Sequence, residues 1–248
     1  MSADENRNPP PEPGSRIIVA IDGPAGAGKS TIARQLARHF GLLNLETGAM
    51  YRALGLKALE QRVPLEDESQ LLSLAWAARI ELQPGPDGNR VLLDGEDVSR
   101  RIRQPDVTEA SSRVSVHPQV RACMVERQQQ MGAAGGVVME GRDIGTKVFP
   151  QAEVKIFLEA SPEVRAMRRL QQQNADNADA AALQAVAEEI RQRDERDRTR
   201  SVSPLVAAPD AVTIDSSALT IEQVVEQVLE AVKNNLGGEP EPSAIGAA

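Results

Sequence analysis

Cysteine, histidine, aromatic rings and lysine are all scarce in this chain. A single cysteine, Cys123, and two histidines, His39 and His117, exclude a disulfide framework and a zinc cluster. Five aromatic residues in 248 leave no stacking platform for single-stranded nucleic acid, and a net charge of −8 argues against a protein that coats phosphates. No run of 18 apolar residues is present, so no membrane span is expected. The N-terminus lacks a charged-then-apolar signal pattern, which makes a cytoplasmic location the expectation. Of 28 basic residues only five are lysine and 23 are arginine. Arginine grips oxyanions bidentately, so the ratio points to phosphate or carboxylate recognition; a GC-rich genome would produce the same ratio.

A length near 250 residues suits one large α/β domain, or a core with a smaller insert. Residues 1–14 hold four prolines and no apolar periodicity, and residues 237–248 look similar, so both are expected to be disordered tails. Between them, over 15–236, strand and helix signals alternate. Ile17–Ile21 is a continuous apolar run, as in a strand buried on both faces, and 136–139, 154–158 and 211–214 repeat the pattern. A helix is expected from Lys29 to about Phe40, stopped by Gly41. Another starts at a capping box of Thr220 and Gln223 and carries Ile221, Val224, Val225, Val228, Leu229 and Val232 at helical spacing. Strands separated by helices imply a parallel sheet with helices on both faces. One stretch breaks the rhythm: 78–83 and 90–94, with Asp87-Gly88 and Asp94-Gly95 as turn dipeptides, read as a hairpin within an insert over roughly 63–105. Trp76 and Cys123 read as packing residues, and His117, before Pro118, as the mark of a turn.

Gly23-Pro24-Ala25-Gly26-Ala27-Gly28-Lys29-Ser30 follows the first strand and opens the first helix. This G-x-x-x-x-G-K-S pattern wraps phosphates with backbone N–H groups, lets the lysine reach the β- and γ-phosphates, and offers the serine hydroxyl to Mg²⁺. No N-K-x-D motif for guanine is present, and the apolar strands that could end in a metal-holding acid end in Glu140 or Glu159. A kinase of a small molecule fits better than a GTPase or a motor.

Such a kinase must hold a second anion facing the γ-phosphate. Arg52, Arg121, Arg142 with Asp143, and the run from Arg191 to Arg200 are the available elements. On a helix Arg193, Asp197 and Arg200 share one face, while Arg191, Asp194 and Arg198 share another and read as solvated ion pairs. Arg142-Asp143 stands at the carboxyl end of a strand, where open α/β sheets bind ligands. Arg165, Arg168 and Arg169 lie on a helix followed by a polar loop and a further helix, the pattern of a closing lid over about 162–185, with plain surface helices as the alternative.

In order along the chain, IDGPAGAGKST, ETGAMYRAL, LLDGEDVSRRIR, VHPQVR, EGRDIGTKVFP, VKIFLEAS, RQRDERDRTR and DSSALTIEQV resemble the bacterial cytidylate kinases of the nucleoside monophosphate kinase family. That resemblance implies a P-loop NTPase-type α/β fold with an inserted subdomain for the nucleoside monophosphate and a helical lid. It implies transfer from ATP, with Mg²⁺, to CMP and dCMP. Gly23–Thr31 and Arg168 would bind ATP, and Ser30 the metal. Ser112, Arg121 and Asp143 would read cytosine; Arg52, Arg142 and Arg200 would hold the acceptor phosphate; Arg193 and Asp197 would hold the sugar. Thr47, Tyr51 and Gly141 fall in the same substrate-binding motifs, and Lys29, Arg142 and Arg200 would carry the catalysis. Glu46 and Glu140 stand where Asp is found in relatives. A kinase of UMP or of a shikimate-like acid, and a GTP-binding switch without turnover, remain as rival readings. With no large apolar stripe to cover, a monomer that binds no nucleic acid or membrane is the default.

Overall fold

The computed structural model describes residues 16–83, 85, 88–172 and 179–236. The two expected tails, the middle of the hairpin turn and most of the lid loop lie outside them. Five parallel strands form the central sheet: β1 (Ile18–Asp22), β2 (Leu43–Glu46), β6 (Val137–Gly141), β7 (Val154–Glu159) and β8 (Val212–Asp215), in the order β2-β6-β1-β7-β8. β1 lies at its centre with Ile18 facing Val137 and Val19 facing Val154. Every residue of β6 is buried, as a parallel strand covered on both faces requires.

Helices α1 (Lys29–Phe40) and α8 (Ile221–Leu236) cover one face, where Leu36, Val224, Val228 and Val232 meet Val138, Val154 and Ile156. Gly41 ends α1 in the left-handed conformation, φ 64°, and its N–H bonds to the Ala37 carbonyl. The capping box at α8 is reciprocal: Thr220 N–H donates to Gln223 Oε1 at 2.9 Å, and Gln223 N–H to Thr220 Oγ1 at 3.3 Å.

A second core joins α2 (Thr47–Glu60), α3 (Glu68–Ala77), α4 (Pro105–Val114) and α5 (Pro118–Gly132) to a small antiparallel sheet. That sheet holds three strands rather than a bare hairpin: β3 (Ile80–Gln83), β4 (Arg90–Leu93) and β5 (Glu96–Asp97). Cys123 is buried in this core, whereas Trp76 does not pack into the insert as expected and is 56% exposed on α3. His117 precedes α5, its ring nitrogen 2.8 Å from the Leu65 carbonyl.

α6 (Pro162–Gln172) packs on α7 (Ala180–Thr199) through Ala166, Ala187 and Ile190. The helix that begins at Ala180 runs on to Thr199, so one 20-residue helix spans the end of the expected lid and the arginine run. It ends at Thr199, which leaves Arg200 extended at φ −61°, ψ 142° rather than on the helical face.

Candidate active site

The loop between β1 and α1 is shaped by glycines that tolerate no side chain. Gly23 has φ 144°, and a Cβ there would lie 2.0 Å from the Leu158 carbonyl oxygen of β7. Gly28 turns into α1 at φ 100°, and no side chain caps the helix. The first amides of α1, beside a helix dipole, are left for an anion. Lys29 is buried and donates from Nζ to the Pro24 carbonyl at 2.8 Å. Burial, with Arg142 pushing the same way, pulls its pKa down to about 7. Burial pushes the pKa of Glu140 up to about 7, with Glu46 adding repulsion and Lys29 and Ser30 pulling the other way. Thr31 begins the regular helix, its N–H on the Gly28 carbonyl at 3.1 Å.

Behind this loop, Asp22 at the end of β1 accepts the Ile144 and Gly145 N–H groups at 2.8 and 2.7 Å. These bonds anchor a π-helical turn over Ile144–Val148 just after β6. Burial pushes Asp22 up to about 6 against those two bonds. The anchored turn sets the direction of Arg142 and Asp143.

Asp143 faces Arg121 of α5 at 2.5 Å, with the two side chains only 5% and 2% exposed. Arg121 also donates to the Ser115 carbonyl at 3.2 Å, and its guanidinium carbon lies 5.4 Å from the centre of the Tyr51 ring. Burial pushes the Tyr51 hydroxyl up to about 12, a rise that Arg121 partly offsets. The hydroxyls of Ser112 and Tyr51 and the Nε of Arg121 are buried with no hydrogen-bond partner. Left alone, such groups are costly, and two of them, on Tyr51 and Arg121, belong to side chains in contact.

Beside it lies a knot of cations. Asp197 of α7 meets Arg142 Nε at 3.1 Å and Arg200 at 3.4 Å. Burial alone would raise the Asp197 carboxyl, but Arg142, Arg193 and Arg200 hold it below its usual value. Burial, with Arg142 repelling, pulls Arg193 down to about 10, and its Nε has no partner. Arg200 donates from Nε to the Ser203 carbonyl at 2.5 Å, while one of its terminal nitrogens has no partner. Arg52 is held by Glu46 at 2.8 Å, and Thr47 donates to the Glu140 carbonyl at 2.7 Å. Gly141 leaves no room beside Thr47, because a Cβ there would lie 2.8 Å from its Oγ1. Arginines 142, 193 and 200 thus share one carboxylate, which suits an incoming anion.

A family model described as Cytidylate kinase matches residues 19–234. The chain belongs to the cytidylate kinase family. Among its relatives, the cytidylate kinase of Geobacillus kaustophilus is 50% identical over 222 residues, covering 90% of this chain and 99% of the relative. That of Solibacter usitatus is 49% identical, covering 89% of this chain and 94% of its own. The Enterococcus faecalis cytidylate kinase is 49% identical over 218 residues, covering 88% and 96%.

Within this family member, the arginines of α6 take three separate positions. Arg165 is buried against the phosphate loop, donating to the Ala25 carbonyl at 3.2 Å and the Ala160 carbonyl at 2.8 Å, and pairing with Asp194 at 2.6 Å. Arg168 donates to the Ser216 carbonyl at 2.7 Å and reaches the Ala27 carbonyl at 3.4 Å. Arg169 turns to Glu189 at 2.9 Å. Arg191 does sit in exposed pairs with Glu163 and Glu188, but Asp194 is buried and is no surface partner of Arg191. Nothing in the charge run distinguished Asp194; its partner lies on another helix. Asp22 is likewise absent from the expected site residues, although it ends an apolar strand beside the loop, the same signal that brought Glu140 into consideration as a metal-holding acid.

Proposed function

We propose that this protein transfers the γ-phosphoryl group of ATP in line to a phosphate oxygen of CMP or dCMP. The observation that carries the substrate is the buried Arg121–Asp143 pair, with the buried Ser112 hydroxyl of α4 also left without a partner. Cytosine offers acceptors at O2 and N3, which suit Arg121 and Ser112, and an amino donor, which suits Asp143. Uracil would turn a carbonyl oxygen toward the Asp143 carboxylate, so the same pair excludes UMP.

The loop amides and Lys29 receive the ATP phosphates, Lys29 giving up its bond to the Pro24 carbonyl. Arg52, Arg142 and Arg200 hold the acceptor phosphate, and Arg193 with Asp197 holds the sugar. The acceptor oxygen is already anionic at neutral pH, so no general base is needed; the residues position two anions and neutralise the charge that builds between them. Mg²⁺, when bound, would supply positive charge to offset the negative charge of the ATP phosphates. Ser30 and Glu140 would hold it: Oε1 of Glu140 is buried without a partner, and no cluster of three ligating side chains occurs among the described residues. That donor set fits a metal carried mainly by substrate phosphates.

ADP release measured with CMP, dCMP, UMP, AMP and shikimate as acceptors tests this reading. CMP and dCMP should each exceed UMP by roughly a hundredfold or more in kcat/KM. Equal turnover of UMP, or release of ADP independent of any acceptor, would overturn it.

A further inference from the structure

β2 is one of the two edge strands of the central sheet, with β8 at the other edge. Its inner side pairs with the β6 side of the sheet, where Leu43 N–H donates to the Gly136 carbonyl at 2.9 Å. Alternate residues of a strand turn their peptide groups to opposite sides, so Asn44 and Glu46 face the open edge. Asn89, at the start of β4 and 43 residues beyond Glu46, closes that edge with its side chain. Its Nδ2 donates to the Asn44 carbonyl at 2.8 Å, and its Oδ1 accepts the Glu46 N–H at 2.8 Å. The carboxamide supplies what one residue of a neighbouring strand would supply. Asn89 is only 6% exposed although it belongs to a hairpin turn, where asparagine ordinarily faces water.

The other end of β4 is fastened as well. Asp94 accepts from Lys57 of α2 at 2.7 Å and from the Arg79 N–H at 2.9 Å. The insert is thereby tied to both ends of the segment that carries Glu46, Thr47 and Arg52. Glu46, gripped through its backbone by Asn89, grips Arg52 through its side chain at 2.8 Å.

We propose that Asn89 is a positioning residue of the acceptor site. By clamping the edge of β2 it fixes Glu46, and through Glu46 the guanidinium of Arg52 that receives the acceptor phosphate. The three-stranded insert is then a strut for phosphate binding, and Asn89 touches no substrate. This inference rests on the CMP kinase reading for its kinetic consequence and on geometry alone for the clamp.

Full-length Asn89→Ala and Asn89→Asp proteins test it. In Asn89→Ala the CMP KM should rise about tenfold, the size expected for a buried donor and acceptor left unpaired, with the ATP KM unchanged within about twofold. Without ligand, the Glu46 amide should exchange hydrogen faster than in the wild type. Asn89→Asp keeps the acceptor for Glu46 N–H, so it should restore that protection and hold the rise in CMP KM to about threefold. CMP and ATP KM rising together, or an aspartate variant no better than alanine, would overturn the proposal. Should Asn89→Ala fail to fold, Asn89→Asp against the wild type carries the same comparison, and an unchanged CMP KM there counts against the clamp. A wild-type protein without CMP turnover removes the proposed function instead; the exchange of Glu46 then decides the clamp by itself.

Discussion

The loop proposed to hold the donor and the pocket proposed to read the base are built on opposite principles. Gly23–Ser30 is one contiguous stretch whose binding groups are backbone amides, shaped by positive φ at Gly23, Gly26 and Gly28. The pocket around Arg121 is made of side chains from α2, α4, α5 and the turn after β6, each brought in by packing. A backbone site is written locally, because only glycine tolerates its angles and close approaches. A side-chain site depends on which elements meet.

The largest effect expected on this contrast comes from Lys29→Ala. With the backbone loop intact, the protein should fold and bind ATP yet lose kcat by about 10²–10³, as when one preorganised donor to the reacting group is removed. Near-normal turnover would mean that the amides alone do the work of the loop. Asp143→Asn probes the other side. An amide can donate to the uracil carbonyl where a carboxylate cannot, so the CMP-to-UMP ratio of kcat/KM should fall about tenfold while the ATP KM holds. An unchanged ratio would take base reading away from Asp143.

The smallest effect separates the sites by pH. Lys29, held near 7, loses its charge in the free protein as pH rises, and Glu140, also near 7, loses its proton over the same range. Arrival of metal-free ATP favours the protonated form of both. Binding at pH 8 should take up about one proton or more, and ATP affinity should fall about fivefold from pH 7 to pH 8. Calorimetry in buffers of different ionisation enthalpy measures the uptake, and Lys29→Ala should reduce it; undiminished uptake in that variant would place the titration elsewhere. Tyr51 in the base pocket, pushed to about 12, stays neutral throughout.

Much of the molecule is legible in its residues, and the omissions share physical causes. β1, β7 and α8 stand out because continuous apolar runs and a 3.6-residue period are strong signals. β2 does not: four residues with Leu43 half exposed and a charged end carry neither pattern. The two residues of β5 are too short to carry one at all. Trp76 misleads because a large ring is usually buried, while here helix α3 turns it to solvent. Arginines 142, 193 and 200 can be grouped from the sequence as a candidate anion site because they accompany a phosphate loop, and the structure gathers them around Asp197. Asp194 was not, since only folding brings it to Arg165, and Asn89 reads as an ordinary turn residue until the edge of β2 is beside it.

On the proposed reading, helix α7 presents neighbouring residues to two different substrates. Asp194 holds Arg165, and through it the Ala25 carbonyl of the donor loop, while Arg193 and Asp197 belong to the acceptor side. A rod bearing on two cradles cannot tilt for one alone. If both cradles are filled as proposed, the two substrates should sense each other's arrival through this helix and not through contact.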